Sequence, residues 1–333
     1  MSTEITPIQG IRMASRGVRN YITGCPLVVS YEVTLSCNCN CRHCDLGGMI
    51  AGEQQLQPDD YARLTRELHP VAVQISGGEP LLRQDIVPVA RAIKQSNGMP
   101  YLILVTNGAL LNKDNYRELC EMGVNQVSVS LDFPDERHDE FRRHKGLFSY
   151  LDDTIPELAK LGYHNIILNS AITKANFREL ILLAQKAQEW GVAISYSAYT
   201  ALRTGEDKYS VRTREDLDCL RSSIAELLEL KKKTGHIANS RSMLFNTLKF
   251  FEQGSMPDCK AGKRFFVVMP EGSFIPCSLN RHKYCSRQDM VKGFAQTNQC
   301  GGCYVAIRSY SDRTLRAQLK DLPDYAKRIL PRR

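Results

Sequence analysis

The segment "SCNCNCRHCD" (residues 36–45) carries four cysteines within eight positions, at Cys37, Cys39, Cys41 and Cys44. Thiols at this density are typical of a disulfide framework or of a metal site. A chain of 333 residues, 43% of them apolar, can bury a core without disulfides. The N-terminal stretch has no apolar core of signal-peptide length, and no apolar run is long enough for a membrane span. A reducing, cytoplasmic compartment is therefore expected, and there the cluster indicates bound metal.

The charge of the chain is mildly positive and scattered. Its 44 Lys and Arg residues and 36 Asp and Glu residues make a formal net charge of +8. Scattered charge of this size is typical of a solvated surface. No basic stretch interleaved with aromatic residues is found, so no nucleic-acid partner is expected.

Strand-like segments alternate with segments of helical spacing on both sides of the cysteine segment. Six such units predict a parallel sheet with right-handed crossovers, whereas a complete barrel needs eight. We therefore predict an α/β fold, a partial (β/α)6 barrel of the TIM type, over residues 26–200. Its predicted strands are 26–35, 71–76, 101–106, 126–131, 165–171 and 192–199.

Glycine-rich and polar motifs end the next three predicted strands. They are "SGGEP" (76–80), "TNG" (106–108) and "SVSLD" (128–132). Each is an ordinary turn when taken alone. In parallel α/β sheets, however, the chemistry lies where the carboxyl ends of the strands meet, so these motifs should lie beside the cysteine segment. The alternation of side chains predicts that Ser130 and Asp132 point into the barrel together.

A second set of cysteines follows a helical linker, which we place at residues 201–258. In residues 259–305, Cys259 and Cys277 flank a predicted hairpin turn, "PEGS", and Cys300 and Cys303 form a CxxC pair. Four thiolates complete a metal site, and from the residues alone zinc and an iron–sulfur cluster fit equally well.

Three of the first four cysteines, Cys37, Cys41 and Cys44, form a C-x3-C-x2-C pattern. A trio of thiolates suits a cubane [4Fe-4S] cluster that keeps one iron open. Directly after the first strand of such a sheet, this pattern resembles the radical S-adenosylmethionine (SAM) superfamily. The resemblance implies that these three hold the cluster, that SAM chelates the open iron, and that Cys39 is no ligand. A zinc knuckle, or a set of buried free thiols, is the alternative.

The resemblance also implies which residues bind SAM. The GGEP motif would hold the amino group of SAM, and TNG is a common companion motif. In related sulfatase-maturating and peptide-modifying enzymes, Ser130 would match a ribose contact and Arg142 would match the arginine that pairs with the SAM carboxylate; for Arg142 a surface salt bridge is the alternative. His43 stands where the family often has an aromatic residue beside the adenine. The predicted SAM-binding residues are Gly77, Gly78, Glu79, Pro80, Thr106, Asn107, Ser130, Asp132 and Arg142.

Behind such a core, the C-terminal cysteine pattern resembles the shortened "twitch" version of the SPASM domain. That resemblance implies a small cysteine-rich domain with one auxiliary [4Fe-4S] cluster. Cys285 is left over in this region and could replace one of the four ligands. The implied ligands are Cys259, Cys277, Cys300 and Cys303.

The resemblance implies that a one-electron donor of the flavodoxin or ferredoxin type reduces the first cluster. SAM is then cleaved to a 5′-deoxyadenosyl radical, which abstracts a hydrogen from the substrate, and the auxiliary cluster transfers electrons. We predict the oxidation of a small molecule or lipid, or the formation of a carbon–carbon bond. A maturase of ribosomal peptides is an alternative, disfavoured because only about 25 residues precede the first strand. An iron–sulfur electron carrier without SAM chemistry is an alternative from another class.

Both ends of the chain are predicted to be basic and amphipathic. In residues 1–25, four apolar residues have helical spacing and three arginines lie elsewhere on the helix. Such a helix either closes the bottom of the barrel or makes a peripheral contact with an anionic membrane. The tail, residues 306–333, is expected to cover a face of the core. The N-terminal positions are Ile8, Ile11, Val18 and Ile22, with Arg12, Arg16 and Arg19.

Overall fold

A computed structural model of the protein describes residues 3, 5–96 and 100–321. One eight-stranded sheet runs through it in the order β6-β5-β4-β3-β2-β1-β7-β8. All neighbouring strands are parallel except β7 and β8, which form an antiparallel hairpin. The strands are β1 (Val28–Thr34), β2 (Ala72–Gly77), β3 (Tyr101–Thr106), β4 (Gln126–Ser130), β5 (Ile166–Ile172), β6 (Ala193–Ala198), β7 (Phe265–Val268) and β8 (Phe274–Ile275).

Helices connect the strands and extend the chain beyond them. The first helix precedes the sheet, and the next six lie between β1 and β6. They are α1 (Pro7–Thr23), α2 (Pro58–Leu68), α3 (Ile86–Gln95), α4 (Lys113–Glu121), α5 (Arg137–Arg142), α6 (Leu147–Ala159) and α7 (Leu180–Glu189). After β6 follow α8 (Arg214–Thr234), α9 (Arg241–Gln253), α10 (Arg287–Met290), α11 (Ala306–Ser311) and α12 (Leu315–Lys320).

The two faces of the sheet differ in chemistry because side chains alternate along each strand. One face is apolar and buried against the helices, where it forms the main core with residues of α2 to α4 and α6 to α9. The other face lines the inside of the curved sheet and carries many hydroxyl and amide side chains. The apolar face includes Val29, Tyr31, Val73, Ile75, Leu102, Leu104, Val127, Val129, Leu168 and Ile194. The polar face includes Gln74, Gln126, Ser128, Asn169, Ser195 and Ser197.

The prediction of a partial, open barrel is confirmed. Six parallel strands appear at the predicted places, each within two residues of the predicted bounds at either end. The sheet does not close on itself, and α11 contacts both β6 and β7 across the gap.

The C-terminal hairpin also joins this sheet, which the sequence analysis did not predict. The "PEGS" turn is confirmed between β7 and β8, and Gly272 adopts the positive φ of 95° that favours glycine in such a turn. Strand β7 pairs in parallel with β1, with Val28 opposite Phe265 and Tyr31 opposite Val268. All four residues of β7 are buried, so this strand needs cover on both faces, and the edge of β1 provides its hydrogen-bond partners. The predicted domain boundaries themselves stay a prediction.

Helix α1 lies against the amino ends of the strands. The Asn20 amide donates hydrogen bonds to the carbonyls of Pro26 (2.7 Å) and His69 (2.8 Å), just ahead of β1 and β2. The tail prediction can be followed only to residue 321, through α11 and α12; residues 322–333 lie outside the described residues. Among the described helices, none combines the length and the hydrophobicity that crossing a bilayer requires.

Candidate active site

The cysteine loop follows β1 at the carboxyl edge of the sheet. Cys37, Cys39 and Cys41 are buried, and the Cys39 thiol lies within hydrogen-bond reach of the other two. Hydrogen bonding from Cys39, and then the charge of Arg142, lower the pKa of Cys41 to about 6. Cys44 is half-buried near Cys41, and burial raises its pKa. The structure therefore brings all four thiols together, and geometry alone does not set Cys39 apart from the predicted ligands.

The glycine pair of "SGGEP" anchors this loop to the sheet. Gly78 N–H donates to the Thr34 carbonyl (2.7 Å), and Glu79 N–H donates to the Ser36 carbonyl (2.8 Å). A Cβ on Gly77 would lie 2.0 Å from the Thr34 oxygen, and one on Gly78 would lie 2.0 Å from the Ser36 oxygen. Glycine is thus required at both positions, because the backbone at the end of β2 contacts the backbone at the end of β1 directly. This contact positions the cysteine loop.

Glu79 links two of the predicted motifs. Its fully buried carboxylate accepts hydrogen bonds from Thr106 Oγ1 (2.8 Å), Asn107 N–H (2.7 Å) and Leu81 N–H (3.0 Å). Burial nevertheless raises its pKa to about 7. The Asn107 side chain reaches on to the cysteine loop, where its amide donates to Asn38 Oδ1 (2.7 Å). Pro80 follows Glu79 and is buried.

Arg142 and Asp132 form a buried ion pair beside the thiols. The guanidinium donates to Asp132 Oδ2 through Nε (2.8 Å), and its second nitrogen lies 2.6 Å from that oxygen. Its remaining nitrogen lies 3.7 Å from Cys41 Sγ. The alternative of a surface salt bridge for Arg142 does not describe this arrangement, since its side chain is 11% exposed and that of Asp132 is 0% exposed. Ser130, at the end of β4, is half-buried and pairs in register with Asn169.

His43 offers one planar face near this site. Its ring stacks on Phe141, with centroids 4.8 Å apart and planes 11° apart. Burial lowers the pKa of His43 to about 4, so the imidazole is neutral at ordinary pH. Because Phe141 occupies one face of the ring, only the other face is available to the predicted adenine.

The second cysteine set is also assembled by the fold. Cys259 and Cys303 are buried, Cys277 is half-buried and Cys300 is exposed. Hydrogen bonding from Cys259 lowers the pKa of Cys300 to about 5. Burial raises the pKa of Cys277 to about 11, and it also raises the pKa of Cys303. The charge of Cys300 contributes to both increases. The fifth candidate, Cys285, is exposed.

Arg308, which the sequence analysis missed, ties this second set together. The guanidinium is fully buried and donates to the carbonyls of Met256 (2.6 Å), Pro257 (2.8 Å) and Cys303 (2.5 Å). It also pairs with Asp312 (2.8 Å) and lies 4.0 Å from Cys303 Sγ. An arginine four residues before an aspartate indicates only a helical ion pair, so its role became visible only in the folded chain.

The inner face of the sheet surrounds a cavity of about 480 Å³. Ser278, Val305 and three residues of α11 line it together with the strands. Arg281, three residues after Ser278, forms an ion pair with the buried Glu32 carboxylate of β1 (2.8 Å). A signal for the polar side chains of this cavity was present in the sequence, as the alternating Gln and Ser of "QVSVS" (126–130) and the alternating Ser of "AISYSA" (193–198).

The donor chemistry of both cysteine sets fits an iron–sulfur cluster, since each gathers several thiols of which one ionises readily. Across the described part of the chain, no three His, Cys, Asp or Glu side chains are arranged to hold a single metal ion. Instead, Cys39 forms hydrogen bonds with Cys37 and Cys41, and Cys259 forms one with Cys300, so a bound cluster would replace these thiol–thiol hydrogen bonds.

Residues 31–186, which run from β1 into α7, match the family model of the radical SAM superfamily. The cysteine loop, Glu79, Thr106 and Arg142 all lie in this range. Residues 31–186 are therefore a radical SAM domain. SAM and a [4Fe-4S] cluster are the cofactors of this class, and the cysteine-rich C-terminal region fits the predicted SPASM or twitch type.

Among characterised proteins, an AdoMet-dependent heme synthase of Methanosarcina barkeri is 32% identical over 191 residues, which cover 55% of this chain and 53% of that protein. The chain thus spans about half the length of that relative. A probable GTP 3′,8-cyclase of Methanothermobacter thermautotrophicus is 24% identical over 275 residues, which cover 78% of this chain and 87% of that protein.

Two solved structures share the fold. SuiB of Streptococcus suis bound to S-adenosylmethionine has a TM-score of 0.63 at 18% identity and covers 82% of this chain and 67% of its own. Native anSMEcpe with bound AdoMet has a TM-score of 0.62 at 18% identity and covers 91% of this chain and 97% of its own. The match to anSMEcpe covers 91% of this chain, which is more than residues 31–186 alone could account for. The similarity of fold therefore extends into the C-terminal region.

Proposed function

We propose that this radical SAM enzyme acts on a small polar molecule inside the barrel, which it oxidises or in which it forms a carbon–carbon bond. The cavity on the polar inner face carries the proposal. Its volume of about 480 Å³ is in the range that small-molecule sites occupy. Hydroxyl and amide side chains such as Ser128, Asn169 and Ser195 line it beside apolar ones such as Ile103 and Val105, which supports a substrate that carries hydrogen-bonding groups on an apolar frame.

The SAM site is proposed at the carboxyl edge of the sheet, with Cys37, Cys41 and Cys44 as cluster ligands. When bound, the cluster and SAM supply a 5′-deoxyadenosyl radical, at the cost of one electron from a donor. Arg142 stabilises the thiolate form of Cys41, in keeping with the lowered pKa of that thiol. Because thiolates bind iron, this charge favours assembly of the cluster.

Glu79 is proposed to accept hydrogen bonds from the amino group of SAM. Thr106 and Asn107 orient its carboxylate, and the glycine pair holds it against the cysteine loop. Arg142 was predicted to pair with the SAM carboxylate, but Asp132 occupies two of its nitrogens. We therefore propose that Arg142 contacts SAM only through the nitrogen that faces Cys41, and that Ser130 and Asp132 border the ribose.

The second set, Cys259, Cys277, Cys300 and Cys303, is proposed to hold the auxiliary [4Fe-4S] cluster. When bound there, it supplies an acceptor for one electron. After hydrogen abstraction, a substrate radical that releases a proton and that electron has undergone a net two-electron oxidation. Ser278, which follows Cys277, lines the cavity, so the second set borders the proposed substrate.

A flavodoxin- or ferredoxin-type protein is the proposed electron donor. An open, basic pocket of about 410 Å³ beside the cysteine loop supports this, with exposed Arg42, Arg143, Lys174 and Lys208. Arg42 directly follows Cys41 in the loop, so a donor seated there approaches the first cluster. Neither Arg42 nor Arg143 forms an ion pair within the described chain, which leaves both available to acidic side chains of a donor.

The proposal is tested by anaerobic reconstitution, addition of SAM and dithionite, and measurement of 5′-deoxyadenosine. Cleavage of SAM is expected without substrate, with an increase when a metabolite extract supplies the substrate. Filling the cavity by Ser195→Leu should abolish the increase and retain the basal cleavage. The substitution Leu182→Ser, at an exposed position of α7, is the matched control. An unchanged increase in Ser195→Leu would place the substrate elsewhere.

Modification of a peptide is the second candidate. The solved structures that share this fold include SuiB bound to the precursor peptide SuiA and anSMEcpe with a Cp18Cys peptide. If this applies, a peptide fraction rather than the small-molecule fraction of the extract should increase 5′-deoxyadenosine. An electron carrier without SAM chemistry, the remaining alternative, would form no 5′-deoxyadenosine in any fraction.

A further inference from the structure

Helix α1 presents an apolar stripe to solvent. Ile8, Ile11, Val18 and Ile22 are 65%, 70%, 38% and 74% exposed. Their spacing of three, seven and four residues places them on one helical face. These four residues, which we call the α1 stripe, form the largest run of exposed apolar side chains on any one described helix.

The opposite face of α1 attaches the helix to the barrel. Asn20 is buried with its amide bound to two backbone carbonyls, and Arg16 donates to the carbonyl of Pro70 (3.4 Å). Met13 borders the barrel cavity. The helix therefore closes the bottom of the barrel, as one of the two predictions stated, but it does so through Asn20, Arg16 and Met13. Its apolar face remains outside.

Positive charge surrounds the α1 stripe. Helix α1 contains three arginines and no acidic residue. Arg12 and Arg19 are exposed next to the stripe, and neither forms an ion pair within residues 5–96 and 100–321. At the C-terminal end of the helix, Arg264 stacks on Tyr21 (4.0 Å) and Arg287 donates to the carbonyl of Gly24 (2.8 Å).

We propose that the α1 stripe docks on an anionic membrane surface, with the isoleucines inserted at the headgroup boundary and the arginines on the lipid phosphates. An exposed apolar face bordered by arginine is the pattern of helices that lie in the interface. Each arginine near an anionic leaflet adds an attraction that a neutral surface does not provide.

Charge argues against the other occupants. A second copy of α1 would bring arginines against arginines, because the helix has no acid to pair with them. Residues 322–333 contain four basic residues and one acidic residue, so this tail would also be repelled. A negatively charged lipid surface supplies the apolar layer and the opposite charge together.

The docked orientation leaves the chemistry free. Helix α1 lies at the amino ends of the strands, whereas the cysteine loop follows the carboxyl end of β1. The basic pocket at Arg42 and Arg143 therefore faces away from the bilayer and stays open to a donor protein. The inference is independent of the proposed reaction.

Flotation of the reconstituted holoprotein with vesicles tests the proposal. Binding is expected to vesicles of equal parts phosphatidylcholine and phosphatidylglycerol, and not to phosphatidylcholine alone. The triple variant Ile8→Ser, Ile11→Ser, Ile22→Ser should bind about tenfold more weakly, because it removes the inserted groups. Arg12→Gln with Arg19→Gln should also weaken binding about tenfold and reduce its salt dependence.

Leu182→Ser, which changes an isolated exposed apolar residue on α7, should bind like the unchanged protein. Circular dichroism and the iron content check that each variant is folded and loaded. Equal flotation by the triple variant, or no flotation of the unchanged protein on anionic vesicles, would overturn the proposal. Loss of a dimer in the triple variant without vesicle binding would assign the stripe to a second copy instead.

Discussion

The two cysteine sites share an arrangement of arginine, aspartate and thiol, and they differ in the contacts that hold their cysteines. At each, a buried arginine pairs with an aspartate and directs one nitrogen at a thiol: Arg142 lies 3.7 Å from Cys41 Sγ, and Arg308 lies 4.0 Å from Cys303 Sγ. At each, one thiol ionises readily, with the pKa of Cys41 lowered to about 6 and that of Cys300 to about 5. Each site thus combines a readily ionised thiol with thiols whose pKa burial raises.

The cysteines of the two sites are held by different means. The first loop is fixed by backbone contacts between the ends of β1 and β2, through Gly77 and Gly78. The second set sits on irregular segments that one side chain, Arg308, joins through three carbonyls. The sheet itself therefore builds the first site, whereas the second relies on side chains, namely Arg308 and Asn298, whose amide donates to the Cys259 carbonyl (2.8 Å) and accepts from Cys300 N–H (2.9 Å).

The largest expected effect separates the roles of the two sites. Cys41→Ala should lower formation of 5′-deoxyadenosine by more than about 10³-fold, because a cluster ligand is lost. Cys300→Ala should retain this cleavage yet form no oxidised product. Cys39→Ala is the matched control and should keep its iron and its cleavage of SAM. Equal losses in Cys39→Ala and Cys41→Ala would show that the four thiols act as one ligand set.

Removal of each arginine tests whether the two sites are built differently. Arg308→Met leaves the Asp312 carboxylate buried without its partner, and should lower the free energy of unfolding by about 3–5 kcal/mol. Iron should be lost from the second site while SAM cleavage persists. Arg142→Met should instead lose iron from the first site, keep iron at the second site, and impair the cleavage of SAM. Denaturant melts, iron analysis and Mössbauer spectra measure these outcomes; equal iron loss from both sites in Arg308→Met would contradict them.

The glycine pairs at the two sites should respond differently to alanine. Gly78→Ala places a Cβ 2.0 Å from the Ser36 oxygen and should destabilise the fold by about 3 kcal/mol. Gly301→Ala at the second site meets the Met256 oxygen at 3.3 Å and should cost less than about 1 kcal/mol. Urea denaturation of the two variants compares them directly, and similar losses would mean that both sites are equally rigid.

The smallest predicted effect is the pH dependence of SAM binding. Burial raises the pKa of Glu79 from 4.5 to about 7, so its carboxyl stabilises the free protein most below pH 4.5, and this contribution is lost as the pH rises through 7. The amino group of SAM prefers the ionised carboxylate. The affinity of the unchanged protein relative to Glu79→Gln should therefore rise about tenfold from about pH 6 to about pH 8. Parallel pH profiles, measured by calorimetry, would exclude Glu79 from SAM recognition.

Much of the first site was readable in the sequence because its parts follow consecutive strands. Each motif lies at a strand end, and parallel strands bring such ends to one edge. The partner of Arg142 was not predictable, since a loop and a helix separate it from Asp132 and its direction depends on how α5 packs. The pairing of β7 with β1 could not be predicted from local patterns. Val28 and Phe265 lie opposite each other in the sheet but come from distant parts of the chain.

Local patterns in the chain were enough to predict the class of fold, the cysteine loop and the motifs that surround it, because strand periodicity and short cysteine spacings need no distant partner. Three features emerged only on folding: the face of α1 that meets solvent, the joining of the second cysteine set by Arg308, and the enclosure of a cavity by side chains whose alternation the strands already carried. These features depend on contacts between distant segments. Such contacts form only when burial of the whole core selects one packing among the many that local patterns allow.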